Sequence, residues 1–443
     1  MVYSTRIIFS SLALVLLTAI VIWRGPQVRE IAIVAQGPNG DQVSTGAVIS
    51  VTFSRPVDRR SAEQSFSIDP IEPGRFFWSD QTLSFQPERP LQARTSYQVT
   101  IRPGVRDTQG RMNQSAVSWE FQTRGPRLLM ITTEPDGSSA IWVFDPAADG
   151  PEQIFTSAET IMSIAPSPDG RQAVMTMQRE PQRGVLELLD LEEGSTRSLV
   201  DDPAASMGSA AWSPDGGFIA VERRALLDGV VGQPRIWLAQ PDGTSLGPLS
   251  SADNDISYAP VWSPDGNRLA LIDGVTQEVG VYDFFSDERS AIAGSSGEAP
   301  SWSPDSWFLV YTAVSTTTNG LRQQIQSSNS VTNMMQDLTD GASADLSPAW
   351  SPDGRWIAFT RREAQGVGSS IWVMRDDGSQ PRQLTSAERH QDLLPVWSLD
   401  SQQIAFLRSS LEGTPETDAW LVDRETGESR KVLDNASQVL WTP

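Results

Sequence analysis

His390 is the only histidine among 443 residues, and cysteine is absent. Those two facts remove most catalytic options together. Thiol nucleophiles, disulfides and cysteine-bound zinc are excluded. One imidazole cannot build a multi-histidine metal centre. Gly243-Thr244-Ser245-Leu246-Gly247 has the G-x-S-x-G spacing of a nucleophile elbow. An elbow needs a strand-to-helix turn, whereas this pentad follows Asp242 in a stretch patterned as a hairpin. No P-loop or G-x-G-x-x-G pattern occurs. The sequence thus predicts no catalytic constellation, no cofactor and no metal.

Carboxylates are the remaining reactive groups. Asp169, Asp215, Asp265, Asp305 and Asp353 recur in Ser-Pro-Asp triplets. A calcium site needs several oxygen ligands close together, which these triplets lack, so they read as turn-stabilising carboxylates. Asp255, Glu298, Asp345, His390 and Asp392 lie just ahead of short apolar runs. Gathered around one opening, they would form a ligand-binding rim for a cation or a basic peptide. The alternative is a set of solvated loops in an acidic chain.

The elements that must position these groups are repeats. Ala211-Trp212-Ser213-Pro214-Asp215-Gly216 returns at Val261–Gly266, Ser301–Ser306 and Ala349–Gly354. An eroded copy runs from Val396 to Ser401, and one without tryptophan from Pro166 to Gly170. Proline sets φ for the turn, Ser and Asp accept backbone N–H bonds, and Gly tolerates positive φ. Apolar runs on both sides make each copy a hairpin. The proline positions are 168, 214, 264, 304 and 352, with Leu399 sixth, giving steps of 46, 50, 40, 48 and 47. Four short strands in 40 to 50 residues is the period of a propeller blade.

The repeats open at Arg127 without a first strand and finish at Val439-Leu440-Trp441-Thr442-Pro443, a first strand without followers. Joining the two ends gives one shared blade beside six whole ones, seven in all. Closure of that kind removes an open sheet edge. Trp212, Trp262, Trp302, Trp350, Trp397 and Trp441 hold equivalent places before the turn. One large aromatic per blade reads as blade-to-blade packing, at roughly 4–6 kcal/mol gross for about 150–250 Å² each.

The W-S-P-D-G core resembles the WD40-like (PD40) β-propeller repeat of the TolB type, from Arg127 to the end. The resemblance implies a propeller; TolB propellers have six blades, one fewer than the seven counted here. Similarity to propeller-bearing peptidases stops at the propeller, since no hydrolase domain follows. Val51-Thr52-Phe53-Ser54, Gly104-Val105-Arg106-Asp107 and Trp119-Glu120-Phe121-Gln122-Thr123 resemble a bacterial Ig-like domain of the SbsA (Big_5) type. That implies a β-sandwich used as a spacer or adhesion module.

Residues 7–23 are apolar apart from Ser10, Ser11 and Thr18. As a helix they would span about 26 Å, close to the roughly 30 Å hydrocarbon core and longer than a signal-peptide core. The expected organisation is a membrane anchor or signal peptide over 1–24, an Ig-like sandwich over 30–124 and a seven-bladed propeller over 127–443. The fold class is all-β behind one transmembrane helix. A net charge of −21 argues against nucleic acid, which selects basic faces.

These features together predict a cell-membrane protein, single-pass, with its bulk extracytoplasmic. Its expected work is non-catalytic binding of another envelope protein, a peptide or a glycan on one propeller face. A hydrolase or lyase in the propeller channel and an extracytoplasmic ligand sensor are the alternatives.

Overall fold

In the computed structural model, the described residues are 31–87, 91–227, 229–244, 246–250, 255–317, 320–362, 367–386, 389–412 and 416–443. They fall into two compact units. One comprises the described residues of Met1–Val43, Val48–Arg89 and Ser96–Gln122; the other comprises Ser44–Ala47, the described part of Pro90–Thr95, and Thr123–Pro443.

The first unit holds two four-stranded sheets. One orders Ile33–Gly37, Ile49–Phe53, Thr82–Pro87 and Gly74–Ser79; the other orders Gly40–Val43, Val117–Thr123, Ser96–Ile101 and Phe66–Asp69. Period-two patterning decides which face of each strand is buried. Ile49, Val51 and Phe53 point inward, as do Tyr97, Val99 and Ile101. A helix at Arg59–Ser65 starts where Asp58 Oδ1 accepts the Ser61 N–H at 2.8 Å. That capping bond satisfies a donor the helix leaves open.

The second unit contains seven four-stranded antiparallel sheets. The first blade takes Arg127–Thr133, Ser139–Phe144 and Glu152–Ser157 from its start and Ala436–Thr442 from its end. Trp441 pairs with Leu128 and Leu440 with Leu129, so the last strand closes the ring. Blades two to seven run in sequence, their first strands beginning at Thr160, Ala205, Ser257, Ser301, Ala344 and His390. Arg124 reinforces the closure: its Nη2 donates to Gly170 O at 2.7 Å and to Pro443 O at 2.8 Å.

Central strands of the blades are buried on both faces, and each face serves a different neighbour. In blade six, Ile357 and Phe359 pack with Val310 and Ile325 of blade five. Ala358 between them packs with Ile404 and Phe406 of blade seven. The same division recurs at all seven junctions, the last joining Leu128 and Met130 to Ala405 and Leu421. The core is therefore seven wedges between sheets.

The repeated tryptophans sit at these junctions with their N–H groups directed. Trp212 Nε1 donates to Ala165 O at 3.1 Å, Trp262 to Ala211 O at 3.1 Å, and Trp302 to Val261 O at 3.1 Å. Trp397 donates to Ala349 O at 3.0 Å and Trp441 to Val396 O at 3.2 Å. Each acceptor is the carbonyl just before the equivalent position one blade back. Trp350 Nε1 is buried without such a partner. The apolar packing follows from the sequence pattern; the bond needs blade geometry to be seen.

One part of the expected fold class is corrected. The only helix among the described residues is the seven-residue Arg59–Ser65, and no described helix is long and apolar enough to cross a membrane. Crossing needs about 20 apolar residues in one helix, whereas the described apolar residues are spent in short strands. The run 7–23, and with it the expected anchor at 1–24, lies outside the described residues. The described architecture is all-β, with no transmembrane helix.

Replacing Trp397 with Phe keeps most of the packing and removes the cross-blade bond to the Ala349 carbonyl, so it is expected to destabilise by about 1 kcal/mol, against about 3–5 for Ala. Trp350→Phe removes an N–H with nothing to lose and is expected near zero; urea unfolding compares the three. Tyr311 is buried, and that burial together with the Asp337 charge pushes its phenol up to about 12. Because the folded value lies above the unfolded one of about 10, the contribution is full below pH 10 and lost as pH rises toward 12. Tyr311→Phe is expected to flatten that alkaline decline in pH-dependent unfolding.

Candidate functional site

The candidate side chains lie just before or at the start of the first strands of blades four to seven. Asp345 is the second residue of blade six's first strand and lies opposite Arg361 on the next. Arg361 Nε donates to Asp345 Oδ1 at 2.6 Å and Nη2 to Oδ2 at 2.9 Å. Asp392 repeats this on blade seven with Arg408, at 2.7 and 2.8 Å. Both carboxylates have no exposure. Each guanidinium is also stacked, Arg361 at 4.5 Å from the Trp372 ring centroid and Arg408 at 4.2 Å from that of Trp420. Planar Arg suits both the fork-to-carboxylate bond and the ring face.

Asp255 also meets a cation. Arg289 Nη1 donates to it at 2.9 Å, while Nη2 holds Asp273 at 2.7 Å. Glu298 is held differently: its Oε2 accepts from Thr312 Oγ1 at 3.0 Å and from Ser347 N at 3.3 Å. Ser347 belongs to the next blade and sits in a bulge at φ 48°. Glu298 thus fastens blade five to blade six.

His390 opens the first strand of blade seven. Its Nε2 lies 3.8 Å from Asp392 Oδ1, beyond hydrogen-bond distance, and is buried without a hydrogen-bond partner. Of the five candidates, only His390 and Asp392 share a blade. Asp255, Glu298 and Asp345 precede or begin the first strands of blades four, five and six. No group of three or more His, Asp or Glu among the described residues is disposed to hold a metal ion.

The turn aspartates stay within their turns. Asp215 Oδ1 accepts from Ser213 Oγ at 2.6 Å and from Gly217 N at 3.0 Å. Asp169, Asp265, Asp305, Asp353 and Asp400 repeat the pattern. In blades five and seven serine replaces the turn glycine, at φ 65° for Ser306 and 59° for Ser401. Their hydroxyls accept the Asp265 and Asp353 N–H groups of the preceding blades, both at 3.0 Å. The eroded copies of the repeat therefore add a cross-blade bond where glycine has none. Gly243 lies in the turn before the short strand Leu246–Pro248, with no helix after it. Ser245 itself lies outside the described residues.

Sequence reasoning missed Glu222, which is buried and ion-paired to Arg224 Nη2 at 2.6 Å. It also missed Arg223, held by Asp202 at 2.7 Å and stacked on Trp237 at 4.4 Å. The available signal was an arginine eleven positions after each of Trp212, Trp350 and Trp397. Asp345→Asn removes the buried negative charge that Arg361 holds and is expected to destabilise by about 3 kcal/mol. Asp345→Leu with Arg361→Met is expected to destabilise less than Asp345→Asn alone, a comparison chemical denaturation resolves.

The sequence profile of the TolB β-propeller domain (PD40) matches residues 110–325 and 233–437. That of a bacterial Ig-like domain (Big_5) matches residues 25–123. An uncharacterised protein of Agrobacterium fabrum is 28% identical over 193 residues, 40% of this chain. The chain spans only 57% of the length of that curated relative. Among solved structures, TolB from Acinetobacter baumannii is 13% identical at a TM-score of 0.46, covering 86% of this chain and 83% of its own. A puromycin-hydrolysing peptidase of Mycobacterium tuberculosis is 14% identical at 0.55, covering 70% of this chain and 54% of its own. At such identities the likeness is one of fold. With the repeat, the closed ring of four-stranded blades and the profile match in agreement, this chain belongs to the TolB β-propeller (PD40) family.

Proposed function

We propose that this chain is a non-catalytic binding and scaffold protein that takes another protein, a peptide or a glycan on a propeller face, outside the cytoplasm. The observation that carries the reading is the state of the candidate carboxylates. Asp255, Asp345 and Asp392 are each neutralised by an arginine of their own blade. A general acid or base must exchange a proton with substrate, and a carboxylate held by both oxygens in an arginine fork is poorly placed for that. Such pairs fix the strands that bear the face. The extracytoplasmic setting draws its support from the apolar run 7–23 ahead of a β-rich body.

A hydrolase or lyase in the channel is the second reading, and His390 is what favours it. Its Nε2 is buried, beside a carboxylate and without a hydrogen bond. The partner carboxylate, however, is already spent on Arg408.

Crosslinking of the full chain in cells of its own source, followed by identification of the adducts, is expected to return a specific macromolecular partner. In parallel the purified chain is expected to leave chromogenic peptide, ester and glycan substrates unchanged. Turnover abolished by His390→Ala would establish the enzyme and remove the scaffold.

A further inference from the structure

The propeller repeat provides its own controls, because each blade shows which residues a given turn requires. In blades two, four, five and seven the turn between third and fourth strands is built by one side chain that accepts two backbone N–H bonds. Asp423 Oδ1 takes them from Glu425 and Thr426, and Asp190 Oδ1 from Glu192 and Glu193. In blade four Asp283 Oδ1 does the same for Phe285 and Ser286, and in blade five Asn329 Oδ1 for Val331 and Thr332. The residue two positions after the acceptor is thus Glu192, Phe285, Val331 or Glu425. Five positions after it stand Ser195, Glu288, Met334 and Glu428. The turn does not need an apolar side chain at either place.

The Ser-Pro-Asp turns show the same departure. The residue five positions after each repeat tryptophan is Gly217, Asn267, Arg355 and Gln402 in blades three, four, six and seven, and Trp307 in blade five. Phe285 is 99% exposed, Met334 74% and Trp307 54%. Phe308, Val331 and Met335 are exposed beside them.

Hydrogen bonds join the turns that bear these side chains. In an antiparallel four-stranded blade, the first and last turns fall at the same end. Ser330 N donates to Trp307 O at 2.9 Å, which ties the two turns of blade five together. Asp265 N donates to Ser306 Oγ at 3.0 Å, which ties blade four to blade five. Phe284 N donates to Asn267 O at 3.0 Å, and the Phe284 ring stacks on Trp262 at 5.1 Å. Exposed apolar side chains carried on hydrogen-bonded turns at one end of two adjacent blades point to an interaction site.

The charges around the patch indicate the occupant. Asp265, Asp287, Glu288 and Asp305 are all exposed on these turns. Arg268, the arginine within the same turns, is spent on Asp283 at 3.0 Å. The exposed Arg355 lies on the equivalent turn of the neighbouring blade six, where Arg375 and Arg424 stack on Trp356, so the turns of blades four and five keep the acidic balance. We propose that the turn face of blades four and five is a docking surface for an apolar segment of another protein flanked by lysine or arginine. Aromatic and methionine side chains supply the anchors, and the acidic rim selects the basic flanks. The same rim opposes an anionic lipid surface, and a net charge of −21 opposes a second copy. The proposal rests on the binding reading above and names its face and its partner chemistry.

The test uses the full chain and two dye-labelled peptides with one Leu/Trp core, flanked by lysines or by glutamates. Fluorescence anisotropy is expected to show binding of the lysine-flanked peptide, weakened about tenfold in Phe285→Ser with Met334→Ser. The glutamate-flanked peptide is expected to bind more weakly, and salt to narrow the difference. Leu227→Ser with Val230→Ser, an exposed apolar pair at the opposite end of blade three, is expected to bind like the parent. Circular dichroism checks that both double variants fold.

Equal binding of the two peptides, equal binding by the Phe285/Met334 variant, or no binding of either peptide overturns the proposal. So does flotation of the chain with phosphatidylcholine vesicles, or a Phe285-dependent dimer in sedimentation. Loss of binding in the Leu227/Val230 variant alone would move the site to the other face and leave the binding reading intact. Crosslinking without any partner is the separate failure of that broader reading.

Discussion

Every blade of this propeller has two apolar faces, and each face is completed by a different neighbour. Phe359 of blade six and Ala358 beside it are both fully buried, yet they belong to separate cores. A blade alone would leave both faces wet, so burial at roughly 25 cal/mol per Å² is realised only when the ring is closed. The indole N–H bonds add direction to that adhesion. Each donates across a junction to the carbonyl that precedes the same repeat position one blade back. Packing alone tolerates sliding of sheet on sheet; a bond to one specified carbonyl does not.

Closure explains where the polar effort of the chain has gone. The last strand pairs with Arg127–Thr133, and Arg124 holds the Gly170 and Pro443 oxygens beside it. Burial lowers the Arg124 guanidinium to about 10, with the neighbouring Arg127 charge acting the same way. Two carbonyls and Glu192 compensate a charge placed where charge is costly. Asp345 with Arg361 and Asp392 with Arg408 apply the same solution within blades. In each the arginine also covers a tryptophan face, so its stem packs while its fork bonds. These pairs tie the first strand of each blade to the second.

A repeat protein separates what the fold requires from what it permits. Ser-Pro-Asp-Gly turns need the aspartate, because its carboxylate closes the turn on the serine hydroxyl and a backbone N–H. The glycine is replaceable when its successor has something to bond, as Ser306 and Ser401 do. Phe285, Trp307 and Met334 occupy places where other blades carry polar residues, and the turns form equally well without them. Exposed apolar side chains at positions free of structural duty are the feature of this surface that folding does not explain.

Local spacing in the sequence determined the strands, the turns and the repeat period, and counting the repeats then implied that Trp441's strand closes on the opening ones. Those properties follow from period-two burial and from turn chemistry, which act within a few residues. The closing strand expected at Val439–Pro443 is observed at Ala436–Thr442, whereas the helix at Arg59–Ser65 has no counterpart in the sequence pattern. Its seven residues are too few for a 3.6-residue period to show. The run 7–23, from which a membrane helix is expected, lies outside the described residues. Only the tertiary structure decided that Asp345 and Asp392 face arginines sixteen residues away, that Glu298 fastens one blade to the next, and that the apolar turns of two blades form one surface. Those pairings depend on register and on the angle between sheets, which no single segment encodes.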